Sequence, residues 1–296
     1  MLRIKKIFIL SLLVIGLALP VQAKDVGTTS ANFLKIGVGA RATALGEAYT
    51  ALVNDASALY WNPAALAQIK NSEFFAAYNS YLLDIAQSYI AFCFPSPRGS
   101  FGIGVNHIDM GKMEGYDVDE QGNPVAIGDF EATSSHISLG YGRKLPGGWL
   151  AGLSLSYLSD KIRDDTKSSF VGTIGILKQL GKNCRIGWVV QNIGNKLGKD
   201  PLPLTFKAGL AGRISSFTLS EEICFPRDND IYICMGGEWD LTRSFSLRIG
   251  YKGGENENPG FSAGAGFKTG KFAFDYAFIP FGDLGNTHRV SLKVRF

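Results

Sequence analysis

The sequence predicts an all-β protein: a 14-stranded antiparallel transmembrane β-barrel with an N-terminal, small-residue, partly helical hatch in its lumen. Three observations carry this. From Ser72 to Phe296 the chain repeats short segments in which apolar residues alternate with polar or small ones. The connections between those segments alternate between tight turns and longer polar loops. An Ala- and Gly-rich stretch of few charges, residues 31–66, precedes them and follows neither pattern.

Composition agrees. Charged residues are 19% of the chain, below the roughly 25% usual in soluble domains, while aromatics reach 12% and glycine 36 residues. Beyond the N-terminal segment no apolar run is long enough for a membrane-spanning helix. The formal net charge is +4, and three of those positive charges are Arg3, Lys5 and Lys6 at the extreme N-terminus. The rest of the chain is nearly neutral, so nucleic acid is not an expected partner.

In chain order, residues 1–23 read as a signal peptide. The basic residues precede an apolar core from Ile7 to Leu19, and Val21-Gln22-Ala23 is a cleavage site. Residues 24–71 are the expected hatch, and 72–296 the barrel, one domain with it because every strand needs both neighbours in lipid. In the hatch, Arg41, Glu47 and Asp55 are the deepest charges and must be paired. Arg41 is expected to bond a hatch carboxylate or a polar group of the wall. Pro63 suits a first helical position, with Asn62 as its N-cap.

The expected strands are Glu73–Tyr81, Ala86–Phe94, Gly99–Ile108, Asp129–Arg143, Trp149–Ile162, Ser168–Leu180, Asn183–Ile193, Leu202–Arg213, Ser216–Phe225, Asp230–Trp239, Arg243–Lys252, Pro259–Lys268, Lys271–Phe278 and Thr287–Phe296. Alternation is clearest near the C-terminus: Phe245, Leu247, Ile249 and Tyr251 share one face, Ser246, Arg248, Gly250 and Lys252 the other. A soluble sandwich would turn the apolar face inward, whereas a barrel in lipid turns it outward. The connections decide for the barrel. Pro95–Arg98, Pro146–Gly148, Gly181–Lys182, Ile214–Ser215, Asp240–Thr242 and Thr269–Gly270 are tight, and the intervening ones, led by Asp109–Gly128, are mostly longer and polar. An even strand number puts both chain ends on the periplasmic side, where the hatch is then expected to begin. Val290, Leu292, Val294 and the terminal Phe296 resemble the signal read by the barrel assembly machinery. That machinery and the outer-membrane lipids are expected partners.

Several motifs lack the context that their chemistry needs. Gly37-Val38-Gly39-Ala40-Arg41-Ala42 matches a loose dinucleotide fingerprint without its strand–helix–strand context. His136 and Ser138 share a strand face, as in a lipolytic pair, but Ile137, Leu139 and Tyr141 claim the lipid side and turn them to the lumen. Asp117, Asp119, Gln121 and Gly122 begin like a calcium loop, but Gly128 stands where its bidentate Glu belongs. Cys93, Cys184, Cys224 and Cys234 make no zinc pattern. Free thiols are expected, a Cys224–Cys234 bridge across a hairpin being the alternative. No metal, cofactor or catalytic residue is called. Gly102, Gly104, Gly140 and Gly142 mark lumen positions for a kinked wall or close hatch contact.

Gly39-Ala40-Arg41-Ala42, Gly46-x-Ala48-Tyr49, Asp55-Ala56-x-Ala58 and Asn62-Pro63-Ala64-x-Leu66 together resemble the N-terminal signature of the PorV/PorQ proteins. Pro280-Phe281-Gly282-Asp283-Leu284-Gly285 and His288 are similar to their last external loop. That resemblance implies a 14-stranded barrel with a hatch, related to the FadL-type transporters of fatty acids and other hydrophobic compounds. It implies either of two roles. One is an outer-membrane barrel passing hydrophobic, fatty-acid-like molecules. The other is a type IX secretion accessory that binds secreted protein cargo by its C-terminal signal domain. The modest external loops favour the first.

Overall fold

The computed structural model describes residues 27–83, 85–254 and 260–296. The signal peptide expected over 1–23, and the start expected for the twelfth strand at Pro259, lie outside them.

Fourteen strands close into one antiparallel barrel, each bonded to its neighbours in sequence and the last to the first. They are β1 (Glu73–Ser80), β2 (Ala86–Ser96), β3 (Gly99–Val118), β4 (Pro124–Leu145), β5 (Trp149–Ile162), β6 (Asp165–Leu180) and β7 (Cys184–Gly194). After a two-residue strand pair in the next loop come β8 (Thr205–Ile214), β9 (Phe217–Pro226), β10 (Tyr232–Asp240), β11 (Phe245–Lys252), β12 (Phe261–Thr269), β13 (Phe272–Pro280) and β14 (Asn286–Arg295). Closure is direct: Glu73 lies opposite Arg295 and Ser80 opposite His288.

The faces are as the alternation predicts. Ile137 and Leu139 are 48% and 60% exposed on the outer surface, whereas His136 and Ser138 between and beside them are buried inside. An outer wall of Phe, Ile, Leu and Tyr around a lumen of Ser, Asn, Gly and charged residues suits lipid outside and polar contacts within. The barrel has a short-turn end and a long-loop end. At the short-turn end Thr269 lies opposite Phe272 across a turn of two residues, Gly270 and Lys271, with Gly270 at φ 54°.

Three expectations change. The stretch Asp109–Gly128 is not a loop: β3 and β4 run on past the barrel as a two-stranded ribbon, with irregular register at Asp109/Lys112 and Gly115/Tyr116. Past the closed barrel most ribbon residues on both faces are exposed, so nothing imposes a sustained period 2 on the sequence. Asp119 turns the ribbon by accepting from Gln121 N at 2.9 Å and Asn123 N at 2.8 Å, so its carboxylate serves the turn. Second, β8 begins at Thr205 rather than Leu202, after Pro203, which has no N–H to give. Third, the first described residues of the hatch lie at the long-loop end and not at the short turns. Ser30 N donates to Pro201 O at 3.0 Å, and Lys35 pairs with Asp228 at 2.7 Å, both partners in long connections. From there the chain descends through the lumen to Ile69, whose carbonyl accepts from Ser100 Oγ at 3.2 Å near the short turns. An even strand number fixes where the barrel's own ends lie, not where a preceding segment threads.

The hatch contains two short helices, α1 (Ala40–Ala44) and α2 (Ala58–Trp61), flanked by the 3-10 segments Asn32–Lys35 and Pro63–Gln68. Asn62 caps the second of these, accepting from Ala64 N at 3.1 Å with Pro63 at the first position. Wall glycines make room for it. A Cβ on Gly140 would sit 2.4 Å from Leu59, one on Gly142 2.6 Å from Pro63 O, and one on Gly250 1.9 Å from Gly46 N. The glycines therefore serve close hatch contact.

Candidate functional site: a sealed lumen with a pocket at each end

The seal is aromatic. Trp61 is fully buried, and Tyr49 and Tyr60 meet its ring edge-on at centroid distances of 5.9 and 5.1 Å. Trp61 Nε1 donates to Val38 O at 3.0 Å, and Tyr60 Oη to Leu34 O at 2.9 Å, stitching separate hatch turns together. Burial pushes the phenols of Tyr49 and Tyr60 far up, so both stay neutral donors. No helix of the described residues is long and apolar enough to cross a membrane.

Charge latches the hatch to the wall. Arg41 Nε and Nη2 donate to Glu238 of β10 at 2.8 and 2.9 Å, a bidentate pair, and Nη1 reaches Asn54 at 3.0 Å. Arg248 of β11 holds the same carboxylate at 2.6 Å and Asp275 at 2.7 Å. Burial disfavours the Arg41 charge, but Glu238 outweighs it and holds the guanidinium above its ordinary range. Glu47 takes Lys252 of β11 at 2.7 Å. Burial alone would raise its pKa, but Lys252, Arg289 and Lys207 together hold it below the usual carboxylate value. Glu222 of β9 accepts from the backbone N–H groups of Tyr49 and Thr50 at 3.1 and 2.8 Å. Asp55 accepts from Ser57 Oγ at 2.5 Å and faces Lys293 at 3.9 Å.

The residues expected to matter in the hatch are thus all anchored, though spread over its length. Their wall partners, Glu222, Glu238 and Lys252, escaped the sequence reading. A usable signal was present: a charge on the polar face in mid-strand must be paired inside the barrel. Cys224 and Cys234 are buried free thiols. Register explains this, since Cys224 lies opposite Tyr232 and Cys234 opposite Glu222. Ser138 pairs with Ser156 at 2.9 Å rather than with His136. At the C-terminus Val290 and Phe296 face outward, Leu292 and Val294 are half-buried, and Phe296 N donates to Ser72 O at 2.9 Å. Among the described residues no group of three acids, histidines or cysteines could hold a metal.

Two pockets flank the seal. Toward the long loops lies a cavity of about 330 Å³, lined by Phe33, Ile36, Ile85, Ile108 and Met110, with Arg289 and the Glu47–Lys252 pair also on its wall. Arg289 is only 4% exposed. Its Nη1 donates to Gly37 O at 2.6 Å and Thr43 Oγ1 at 2.8 Å, both neutral, and its Nε has no partner among the described residues. Toward the short turns a polar vestibule of about 480 Å³ opens beneath Leu52, Asn54 and Gln68.

A family model described as an uncharacterised protein family, UPF0164, matches residues 18–126. Curated protein sequences give no match. Solved structures do, at the level of fold. The Pseudomonas putida toluene transporter TodX superposes with a TM-score of 0.66 at 11% identity, over 87% of this chain and 96% of that one. The Ralstonia pickettii toluene transporter TbuX gives 0.64 at 12%, over 88% and 98%. A Pseudomonas aeruginosa FadL homologue gives 0.61 at 12%, over 91% and 98%. The chain therefore has the 14-stranded, FadL-like barrel fold. The resemblance to PorV/PorQ rests on its motifs alone.

Proposed function

We propose that this chain is an outer-membrane barrel that passes hydrophobic small molecules bearing an acidic group, fatty-acid-like in character. It is exported behind a signal peptide cleaved after Ala23, and the long-loop end faces outward. The observation that carries the reading is the apolar pocket whose buried guanidinium, Arg289, faces no carboxylate within ion-pair distance among the described residues. The aliphatic lining of that pocket takes an acyl chain, at about 25 cal/mol per Å² of apolar surface leaving water. Arg289 supplies what its acid group needs, while Lys252 stays with Glu47. The hatch must then shift to let the ligand on, since Trp61 and Tyr49 close the lumen below. Passage requires no covalent chemistry. The toluene transporters and the FadL homologue of the same fold support this reading.

The test is binding of a fluorescent long-chain fatty acid to the purified protein in nanodiscs. Arg289→Gln removes a charge-assisted contact worth about 1.5–3 kcal/mol, so affinity should fall roughly 10- to 100-fold. Toluene binding should be unchanged. Equal fatty-acid affinity in the variant would sink the proposal. Co-purification with secreted proteins sharing a C-terminal β-domain would replace it with the secretion reading.

A further inference from the structure

We propose that the vestibule at the short-turn end is a binding site for a small anion carrying phosphate or carboxylate groups, and that its occupancy loosens the hatch. The inference stands apart from the passage reading: it concerns the opposite end of the lumen and holds whether or not an apolar ligand crosses.

The vestibule has a volume of about 480 Å³, and its lining carries far more cations than acids. Its two acids, Glu238 and Asp275, are already held by Arg41 and Arg248. Three more of its cations also have acids, since Lys293 faces Asp55 at 3.9 Å, Arg295 faces Glu73 at 2.9 Å and Arg213 pairs with Asp240 at 2.7 Å. That leaves Lys182, Arg185, Lys268 and Lys271 on the lining with no acid within ion-pair distance among the described residues. A solvated basic rim would spread such side chains around the outside. Here they come from the turn after β6, from β7, from the end of β12 and from the following turn, and all line one concavity. A cleft lined by one sign of charge focuses its field and concentrates counter-ions of the other sign.

Arg185 shows that the site is built. Its side chain is largely buried, and both terminal nitrogens are spent on neutral acceptors of the hatch: Gln68 Oε1 at 3.1 Å and Leu52 O at 2.9 Å. Gln68 Nε2, on the same lining, is a buried donor without a partner among the described residues. An anion entering here meets a guanidinium, an amide N–H and three further ammonium groups. A carboxylate or phosphate binds Arg185 more strongly than an amide oxygen can. Recruiting the guanidinium therefore releases Leu52 O and Gln68, two of the ties between hatch and wall. The volume suits a small phosphate ester, a dicarboxylate or a lipid headgroup, and is too small for a folded partner.

The test uses the full mature chain in phosphatidylcholine nanodiscs, titrated calorimetrically with inorganic pyrophosphate. Wild type should bind. Arg185→Gln with Lys268→Gln should weaken binding by at least about 10-fold, from the loss of charge-assisted contacts. The surface pair Arg98→Gln with Lys144→Gln should not. An unshifted heat-modifiability band on gels shows that the variants are folded. Repeating the titration in phosphatidylglycerol nanodiscs separates the sources. If headgroups fill the site, wild-type affinity drops there while the double variant does not change; if a soluble anion is the ligand, lipid makes no difference. Equal affinity in wild type and the Arg185/Lys268 variant, or equal loss in the surface variant, overturns the site. Pyrophosphate should also speed amide exchange over residues 50–54, and binding without that change overturns the coupling to the hatch.

Discussion

Removing Arg41 tests whether the hatch is a latched gate. Arg41→Ala deletes two charge-assisted bonds to Glu238, at 2.8 and 2.9 Å, and the contact with Asn54. It does not strand the carboxylate, because Arg248 still holds Glu238 at 2.6 Å. The cost is therefore less than the 3–5 kcal/mol of orphaning a buried charge, and about 2–3 kcal/mol is expected. That shifts the ratio of released to docked hatch roughly 30- to 150-fold. Glu238→Ala should be worse, at about 3–5 kcal/mol, because Arg41 is then left buried without its carboxylate while Arg248 keeps Asp275 at 2.7 Å. The assay is hydrogen exchange across residues 40–54, paired with conductance in planar bilayers. Exchange should rise in the order wild type, Arg41→Ala, Glu238→Ala, with more frequent opening events. Unchanged exchange and conductance in both variants, or the reverse order, would refute the latch.

Three further outcomes follow from the same structure. The Glu47 carboxyl is held below its ordinary value of 4.5, so its tie to Lys252 contributes fully above that pH and is lost as pH falls through the lowered value. Channel opening should therefore rise in acid below about pH 4.5, and Lys252→Gln should flatten that dependence; a pH profile identical in variant and wild type counts against it. Gly152→Val places its first side-chain carbon 2.3 Å from Pro63 O, so the hatch must shift, at a cost of about 1–3 kcal/mol. Thermal melting should drop and leak increase, whereas the outward-facing Leu153→Val should do neither. Deleting residues 31–66 should leave an inserted barrel that leaks small solutes in liposome swelling; failure to insert would make the segment a folding core instead of a gate.

Much of the architecture was legible because lipid and lumen impose a local rule. A residue on a spanning strand faces one or the other, so period 2 is written directly into segments such as Phe245–Lys252, and the alternation of turn lengths follows from crossing a slab. Where the rule lapses, the reading lapsed with it. The ribbon over residues 109–128 is a strand pair beyond the closed barrel, and its alternation is confined to short pieces such as Tyr116 and Val118 or Val125 and Ile127, broken where the register shifts. The candidate site was half legible. Buried charges in a small-residue hatch had to be paired, and Arg41, Glu47 and Asp55 are.

What the sequence alone determined is the barrel, its outward apolar face, its strand number and the existence of a hatch needing partners. Tertiary structure decided which partners, and from which end the hatch enters. Arg41 and Glu238 are 197 residues apart, Lys35 and Asp228 193. Such pairs depend on barrel closure and on the path of a segment whose small residues record only that it packs tightly. No local pattern encodes a meeting across the lumen, so the Arg289 pocket, the cationic vestibule and the latch between them appear only once the wall has closed around the hatch.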